Sequence, residues 1–430
     1  MTTALHGHPA GSQPGSLVSL EDARAQMLDG LQPLAAEEVA LEHAAGRVLA
    51  EGLVSRLTLP PWDNSAMDGF AVRAADVAAA NQDTPLRLAV VGEAAAGRLP
   101  TGTVEPGSAV RILTGAPLPE GADAVVPVEL TDAAMGVAAL PADITVHQPV
   151  ERGGHIRRAG TDLREGEQLL SQSTQLTAAS LALAAAGGHG RVSVHRRPRV
   201  AIMATGDELV LAGAQLGPFQ IPDSNSVGLA AQAGASGCEV RSLGISRDTL
   251  DDVLAHLREG LAWADVIVAS GGVSVGAHDV VKDAFAQIGR IELWRIAVQP
   301  GKPLAFGRAP ASGRTGDVLL FGLPGNPVSS LVTFELFVRP VLRRLAGHTD
   351  LVGRQVVRAR LEQAVSKSAG RRAFLRVRLI PDGNGWLAAL AGGQDSHVLS
   401  ALAAADGLAI IPEQHDSLPA GTEVEVIRIR

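Results

Sequence analysis

The chain has one cysteine in 430 residues, no tyrosine, and only 3% aromatic side chains. A single cysteine, Cys238, rules out an internal disulfide and fits a reducing compartment. Beside Val240 and with no evident histidine partner, it reads as a small core residue, not a nucleophile. So few aromatics leave no stacking platform for bases. A formal charge of −8 removes the broad basic surface on which nucleic-acid binders depend. No stretch reaches about 18 uninterrupted apolar residues, so no membrane span is expected. Met1 to Ser16 is polar, lacks the apolar segment of a signal peptide, and reads as a frayed tail. A soluble, cytoplasmic protein is expected.

What is present is a globular composition, 46% hydrophobic and 19% charged, in a chain long enough for two to four domains. Ser19 opens a first helix, with Glu21 and Asp22 in its first turn and Ala23, Met27, Leu28 and Leu31 as an apolar stripe. A second helical piece is expected over about Ala35 to His43. From Leu86 to about Val150 short strand patterns follow one another at Leu86–Val91, Ala109–Leu113, Ala124–Val128 and Ile144–His147. Their turn spacing predicts a small β domain inserted in a longer element. A helix returns at Thr177 to Ala186 and stops at Gly187-Gly188.

Beyond Arg199 the pattern changes. Strand candidates Val200–Ala204, Glu239–Leu243, Val266–Ala269 and Val318–Phe321 alternate with helices near 225–236, 248–260, 279–288 and 327–345. That alternation predicts an α/β, doubly wound, mostly parallel sheet, whose ligands sit outside the carboxyl ends of the strands. After Gly347 the reading is strands again: Gln355–Leu361, Phe374–Ile380, Trp386–Leu390, Leu408–Ile411 and Val424–Ile429, a C-terminal all-β module.

Three strand-end loops carry the suggestive chemistry. Thr205-Gly206-Asp207-Glu208 sets two carboxylates where a metal or a ribose could face them, and reads equally as a turn with helix-start charge. Ser270-Gly271-Gly272-Val273-Ser274, running to Asp279, combines close backbone approach with hydroxyls, as phosphate cradling requires. Asp279 adds a carboxylate able to hold a metal beside that anion. The loop matches neither the P-loop nor the dinucleotide fingerprint. Gly322-Leu323-Pro324-Gly325-Asn326-Pro327 is a rigid turn, with Pro327 suited to the first turn of the next helix. Lys302, between Pro300 and Pro303, reads either as a fixed cation for an oxyanion or as a solvated lysine. Asp248 on its own reads as a helix cap before a metal-site carboxylate. Trp62 to Ala71 and Arg111 to Pro117 are further polar turns, each explicable as turn chemistry alone.

Taken together, Asp63-Asn64-Ser65-Ala66-Met67-Asp68-Gly69, Arg111–Pro117, Thr205–Glu208, Ser270–Asp279, Pro300–Pro303 and Gly322–Pro327 resemble, in collinear order from about residue 17 to the end, the MoeA family. These are molybdopterin molybdenumtransferases, related to proteins with gephyrin-type E domains. The resemblance implies a four-part homodimer: a discontinuous linking domain (17–55 and 157–197), an inserted β domain (56–156), a MogA-like α/β domain (198–346) and a C-terminal β domain (347–430). It implies insertion of molybdate into adenylylated molybdopterin, with Mg²⁺-assisted release of AMP. It places Glu208, Asp248 and Asp279 at the nucleotide and metal, with Asp162 another functionally implicated acid. Asp68 and Thr114 would reach the pocket from the inserted domain of the second subunit. Ser270, Gly271, Gly272, Ser274, Pro324 and Pro327 would line the substrate site, and Lys302, Arg376 and Ser396 the molybdate.

Where many relatives carry a lysine before Pro-Gly-Lys this chain has Gln299, and Arg295 stands where a second family lysine appears. One positive charge at the dianion is thus exchanged for a neutral amide. Transient contact with a molybdopterin adenylyltransferase and with molybdoenzyme maturation proteins is implied as well. A scaffold role without catalysis, and ATP-dependent adenylylation of molybdopterin, are the competing readings. AMP release in the presence of molybdate separates the first from catalysis, and ATP consumption without molybdate reveals the second.

Overall fold

The computed structural model describes residues 17–134, 139–272, 280–383 and 385–430. The chain divides into two compact units. The first comprises residues up to Glu37, Gly46–Ala50 and Ser193–Arg430, and the second Glu38–Ala45 and Glu51–Val192.

The first unit is built on a six-stranded sheet, numbered here in chain order: β1 Arg199–Thr205, β2 Glu239–Ser246, β3 Val266–Ser270, β4 Arg290–Arg295, β5 Pro303–Pro310 and β6 Asp317–Leu323. The spatial order is β2-β1-β3-β6-β5-β4. Strands β2, β1, β3 and β6 run parallel, whereas β5 is antiparallel to both β6 and β4. The expectation of a mostly parallel sheet is met, and the antiparallel pair β4–β5 is an addition that the sequence patterns did not suggest.

Alternation along the buried strands sorts their side chains onto two faces. Val200, Ile202, Val266, Val268, Leu319 and Phe321 join a core with helices α1 (Asn225–Ala235) and α4 (Pro327–Thr333). Ala201, Met203, Ile267, Ala269, Val318 and Leu320 join another with α2 (Leu250–Trp263) and α3 (Val280–Ile288). Cys238 lies buried in the first of these cores. Burial pushes its thiol up to about 12, so it is an inert packing group.

Helix α4 continues through a π-helical turn, Phe334–Val338, into Arg339–Leu345, giving the long helix expected at 327–345 a local widening. The N-terminal helix, Leu20–Leu28, begins at Ser19, whose Oγ accepts the Asp22 N–H at 3.0 Å. It packs Leu20, Ala23 and Met27 into the same core as Val200 and Phe337. Five strands after residue 355 close on themselves, because Arg372–Asp382 pairs both with Gly385–Leu390 and with Gly407–Ile411. A short helix, Leu399–Ala403, interrupts this otherwise all-β module. Phe374, Leu408 and Ile427 belong to the core that holds Phe334 and Leu336, so barrel and α/β sheet share one apolar interior.

The second unit carries a five-stranded sheet in the order Ala124–Pro127, Gly69–Val72, Ser108–Ile112, Leu86–Ala94, Asp143–Val146. Four of these strands match the expected ones to within three residues at each end. Gly69–Val72, read from sequence as an irregular turn, is a fully buried central strand. The helix Ala178–Ala186 is held by a reciprocal cap between Thr177 and Ser180. The helix expected at Ala35 to His43 is instead a strand, Ala36–Ala40, followed by a 3₁₀ turn. The Leu41 N–H donates to the Gly190 carbonyl at 3.3 Å, and such a distant partner overrides the helical preference of Ala-Glu-Glu. Among the described residues no helix is long and apolar enough to cross a membrane.

Candidate functional site

Parallel strands β1, β3 and β6 deliver their carboxyl ends side by side, and the loops that follow them line one cleft of about 580 Å³. Thr205, Gly206 and Glu208 come from the β1 end, Asp248 from beyond β2, Gly271 and Gly272 from β3, and Pro324, Gly325 and Asn326 from β6. Val280, which opens α3, and Pro303, which opens β5, complete the wall.

Glycine is required at 271. Its φ is +99°, and a Cβ there would lie 2.6 Å from the Thr205 carbonyl oxygen. The Gly271 N–H donates to Leu323 O at 3.1 Å, which stitches the glycine loop to the end of β6. Pro327 occupies the first turn of α4, where its missing N–H is without cost.

One end of the cleft is acidic. Burial, then the neighbouring Asp207 and Glu208 carboxylates, raise the Asp248 pKa above the ordinary carboxylate value, against a hydrogen bond from the Asp207 backbone N–H. Asp248 is not the helix cap that its position suggested. Thr249 takes the cap position, α2 begins at Leu250, and Asp248 faces the cleft beside Glu208. Ser274 and Asp279 lie outside the described residues. Among the described residues no three potential ligands gather into a metal set.

The other end joins the barrel. The Asn326 side-chain N–H donates to Ser396 Oγ at 3.0 Å, and the Val328 N–H donates to the Ser396 carbonyl at 3.1 Å. Arg376 is 1% exposed and donates through one terminal nitrogen to the carbonyls of Gly393 (3.1 Å) and Asp395 (3.2 Å). It therefore anchors the loop that presents Ser396, while its Nε is buried without a partner among the described residues. Burial lowers the Arg376 pKa, with Asp395 opposing. Lys302 is half-buried next to Pro303, and the β4–β5 register sets exposed Arg295 opposite that same proline. Gln299 accepts a long, 3.4 Å bond from the Ser368 N–H.

In the second unit Asp68 and Thr114 do come together. One Asp68 oxygen accepts both the Thr114 N–H (2.7 Å) and its hydroxyl (2.8 Å), which holds the carboxyl below its usual range. Asp68 lines a separate cavity of about 590 Å³ with Arg111 and Glu93. Asp162 is exposed, its N–H bonded to the Leu59 carbonyl.

Sequence reasoning named Thr205 only as the start of a strand-end loop and gave no role to its Oγ1, which is buried without a partner among the described residues, and it passed over Asn225 on α1. The available signal was the Asp223-Ser224-Asn225-Ser226 run, rich in polar groups at a helix start.

Comparison with known proteins agrees with this plan. Family models match in series: the MoeA N-terminal region (domain I and II) at residues 18–188, a probable molybdopterin binding domain at 201–344, and the MoeA C-terminal region (domain IV) at 358–429. A Mycobacterium tuberculosis protein named molybdopterin molybdenumtransferase 2 is 39% identical over 408 residues, covering 94% of this chain and 96% of its own. A Nostoc molybdopterin molybdenumtransferase is 38% identical, covering 91% and 88%. The crystal structure of a molybdopterin biosynthesis MoeA protein from Pyrococcus horikosii superposes with a TM-score of 0.79 at 34% identity, over 96% of this chain and all of that one. Matched from end to end, in sequence and in fold, this chain belongs to the MoeA family.

Proposed function

We propose that the chain acts as a molybdopterin molybdenumtransferase in molybdenum cofactor biosynthesis, taking adenylylated molybdopterin and molybdate and releasing AMP with Mg²⁺. The observation that carries this reading is the single cleft in which Glu208 and Asp248 stand with the glycine loop at 271–272 and the turn at 324–326. Glycines without side chains let a phosphate approach the backbone, and the start of α3 at Val280 favours negative charge there.

Burial first, then the like charges of Asp207 and Glu208, disfavour the ionised form of Asp248, a repulsion that a bound cation relieves. Carboxylate oxygens are the donors that Mg²⁺ takes, so Glu208 and Asp248 suit it, with Asp279 proposed as a further ligand. When bound, the ion supplies positive charge beside the phosphoric anhydride that links AMP to the pterin phosphate. Lys302, with Ser396 on its Arg376-anchored loop, is assigned to molybdate, and Arg295 adds a cation beyond Pro303. Their task is proximity: they hold the oxyanion where the pterin dithiolene waits, and no protein nucleophile is needed.

We place Asp68, Thr114 and Asp162 at the same reaction, with Asp68 and Thr114 contributed by a second subunit of a homodimer. Exposed Leu211, Phe219, Ile221 and Val227, close along one stretch of the first unit, are the kind of surface a subunit contact covers. Purified protein mixed with adenylylated molybdopterin, molybdate and Mg²⁺ should release AMP, and Glu208→Gln or Asp248→Asn should slow that release by about a hundredfold. Unchanged release in both variants, or ATP consumption without molybdate, would overturn the reading.

A further inference from the structure

Asn225 stands on α1, far in sequence from the cleft loops, yet its side chain touches two of them. Its Nδ2 donates to Ser270 Oγ at 2.7 Å and to the Gly325 carbonyl at 2.8 Å. A carboxamide nitrogen has two N–H groups, so each is given to a different loop. Ser270 ends β3 and is buried, and Gly325 lies in the turn after β6. These loops are also joined directly, since the Gly271 N–H donates to the Leu323 carbonyl at 3.1 Å. Ser270 Oγ passes the link on to Ser330 Oγ on α4 at 3.3 Å. One side chain thus bridges helix α1, the glycine loop and the Pro-Gly-Asn turn.

The orientation of that amide is determined by its partners. Gly325 offers only a carbonyl acceptor, so the nitrogen must face it, and the amide oxygen must point away. That oxygen is buried and has no hydrogen-bond partner among the described residues. Buried acceptors are ordinarily satisfied.

We propose that Asn225 is a positioning residue of the transferase site, setting the separation of the glycine loop and the Pro-Gly-Asn turn so that the nucleotide phosphate of the substrate is gripped between them. This rests on reading the cleft as the nucleotide site. The experiment is calorimetric titration of the full-length protein with AMP and Mg²⁺, for wild type, Asn225→Ala and Asn225→Asp. The Kd for AMP should rise by at least about tenfold in N225A, and further in N225D, where a carboxylate opposes both the Gly325 carbonyl and the incoming phosphate. In turnover, KM for adenylylated molybdopterin should rise while kcat changes by less than about threefold, whereas a folding defect lowers the active fraction and leaves KM alone.

If Asn225 merely fills space, the equal-volume aspartate keeps the wild-type Kd and alanine does not. That ordering, or an unchanged Kd in both, overturns the proposal. Should the alanine variant fail to fold, the aspartate variant carries the test. A wild-type protein that binds no AMP sinks the cleft reading itself, whereas wild-type binding with unaltered variants sinks only the role of Asn225.

Discussion

Asp265 shows how one buried charge is made tolerable, and how its loss would be measured. It lies 5% exposed just before β3, with Arg196 donating to both its oxygens at 2.7 Å. The Arg199 N–H donates at 2.9 Å, and Arg314 adds a weaker bond at 3.3 Å. Burial by itself pushes the carboxyl up. The Arg196 and Arg199 bonds and the charges of Arg196 and Arg314 outweigh it and hold the pKa below the ordinary value. A pKa depressed by folding gives stability that is present above the unfolded value, about 4, and is lost as pH falls through the folded one. Asp265→Asn should therefore cost about 3 to 5 kcal/mol at pH 7, because it strands guanidinium groups around a neutral amide. Urea unfolding at pH 7 and at steps below pH 4 should show the gap between variant and wild type closing as acid is added. A gap that stays constant would mean that the carboxylate charge is not what the arginines hold.

At the scale of elements, a strand ending in a glycine turn recurs at β1, β3 and β6, and the turn is where geometry constrains the residue most. Gly271→Ala places a methyl group 2.6 Å from a backbone oxygen at φ +99°. It should destabilise the fold by about 1 to 3 kcal/mol and weaken AMP binding together, seen as a lower midpoint in urea and a raised Kd. A variant that keeps both would show that the loop relaxes freely and does not grip phosphate. Loops of this kind were legible from sequence because branched apolar runs such as Val266 to Ala269 end abruptly in glycine.

The same reasoning failed where a strand depends on a partner far away. Ala36–Ala40 has helix-forming residues, and Gly69–Val72 hides inside a turn-like motif. The antiparallel strands β4 and β5 exist because each finds the next in register, Arg290 opposite Arg308 and Arg295 opposite Pro303. Asn225 was passed over for a related cause, since its polar helix-start run marks a position and not a partner. Its role is defined by two loops 45 and 100 residues further on, and nothing in its neighbours announces them.

On the scale of the whole molecule, the candidate residues fall into two sets in separate compact units. Glu208, Asp248, Ser270, Gly271, Gly272, Arg295, Lys302, Pro324, Pro327, Arg376 and Ser396 belong to the first, and Asp68, Thr114 and Asp162 to the second. In the proposed homodimer the second set would take its place in the reaction, so self-association is the property that tests the shared site. Phe219 is 97% exposed at φ +63°, with Ile221 and Val227 also standing free of the core. A phenylalanine held out in this way gains by being covered, and large exposed apolar side chains gathered along one segment are what a protein contact covers. Sedimentation equilibrium should find the wild-type chain as a dimer. Phe219→Asp combined with Val227→Asp should shift it towards monomer, with AMP release falling in step with the dimer fraction while each unit keeps its melting transition. A wild-type protein that is monomeric and fully active would remove the second subunit from the mechanism, and with it the role proposed for Asp68 and Thr114.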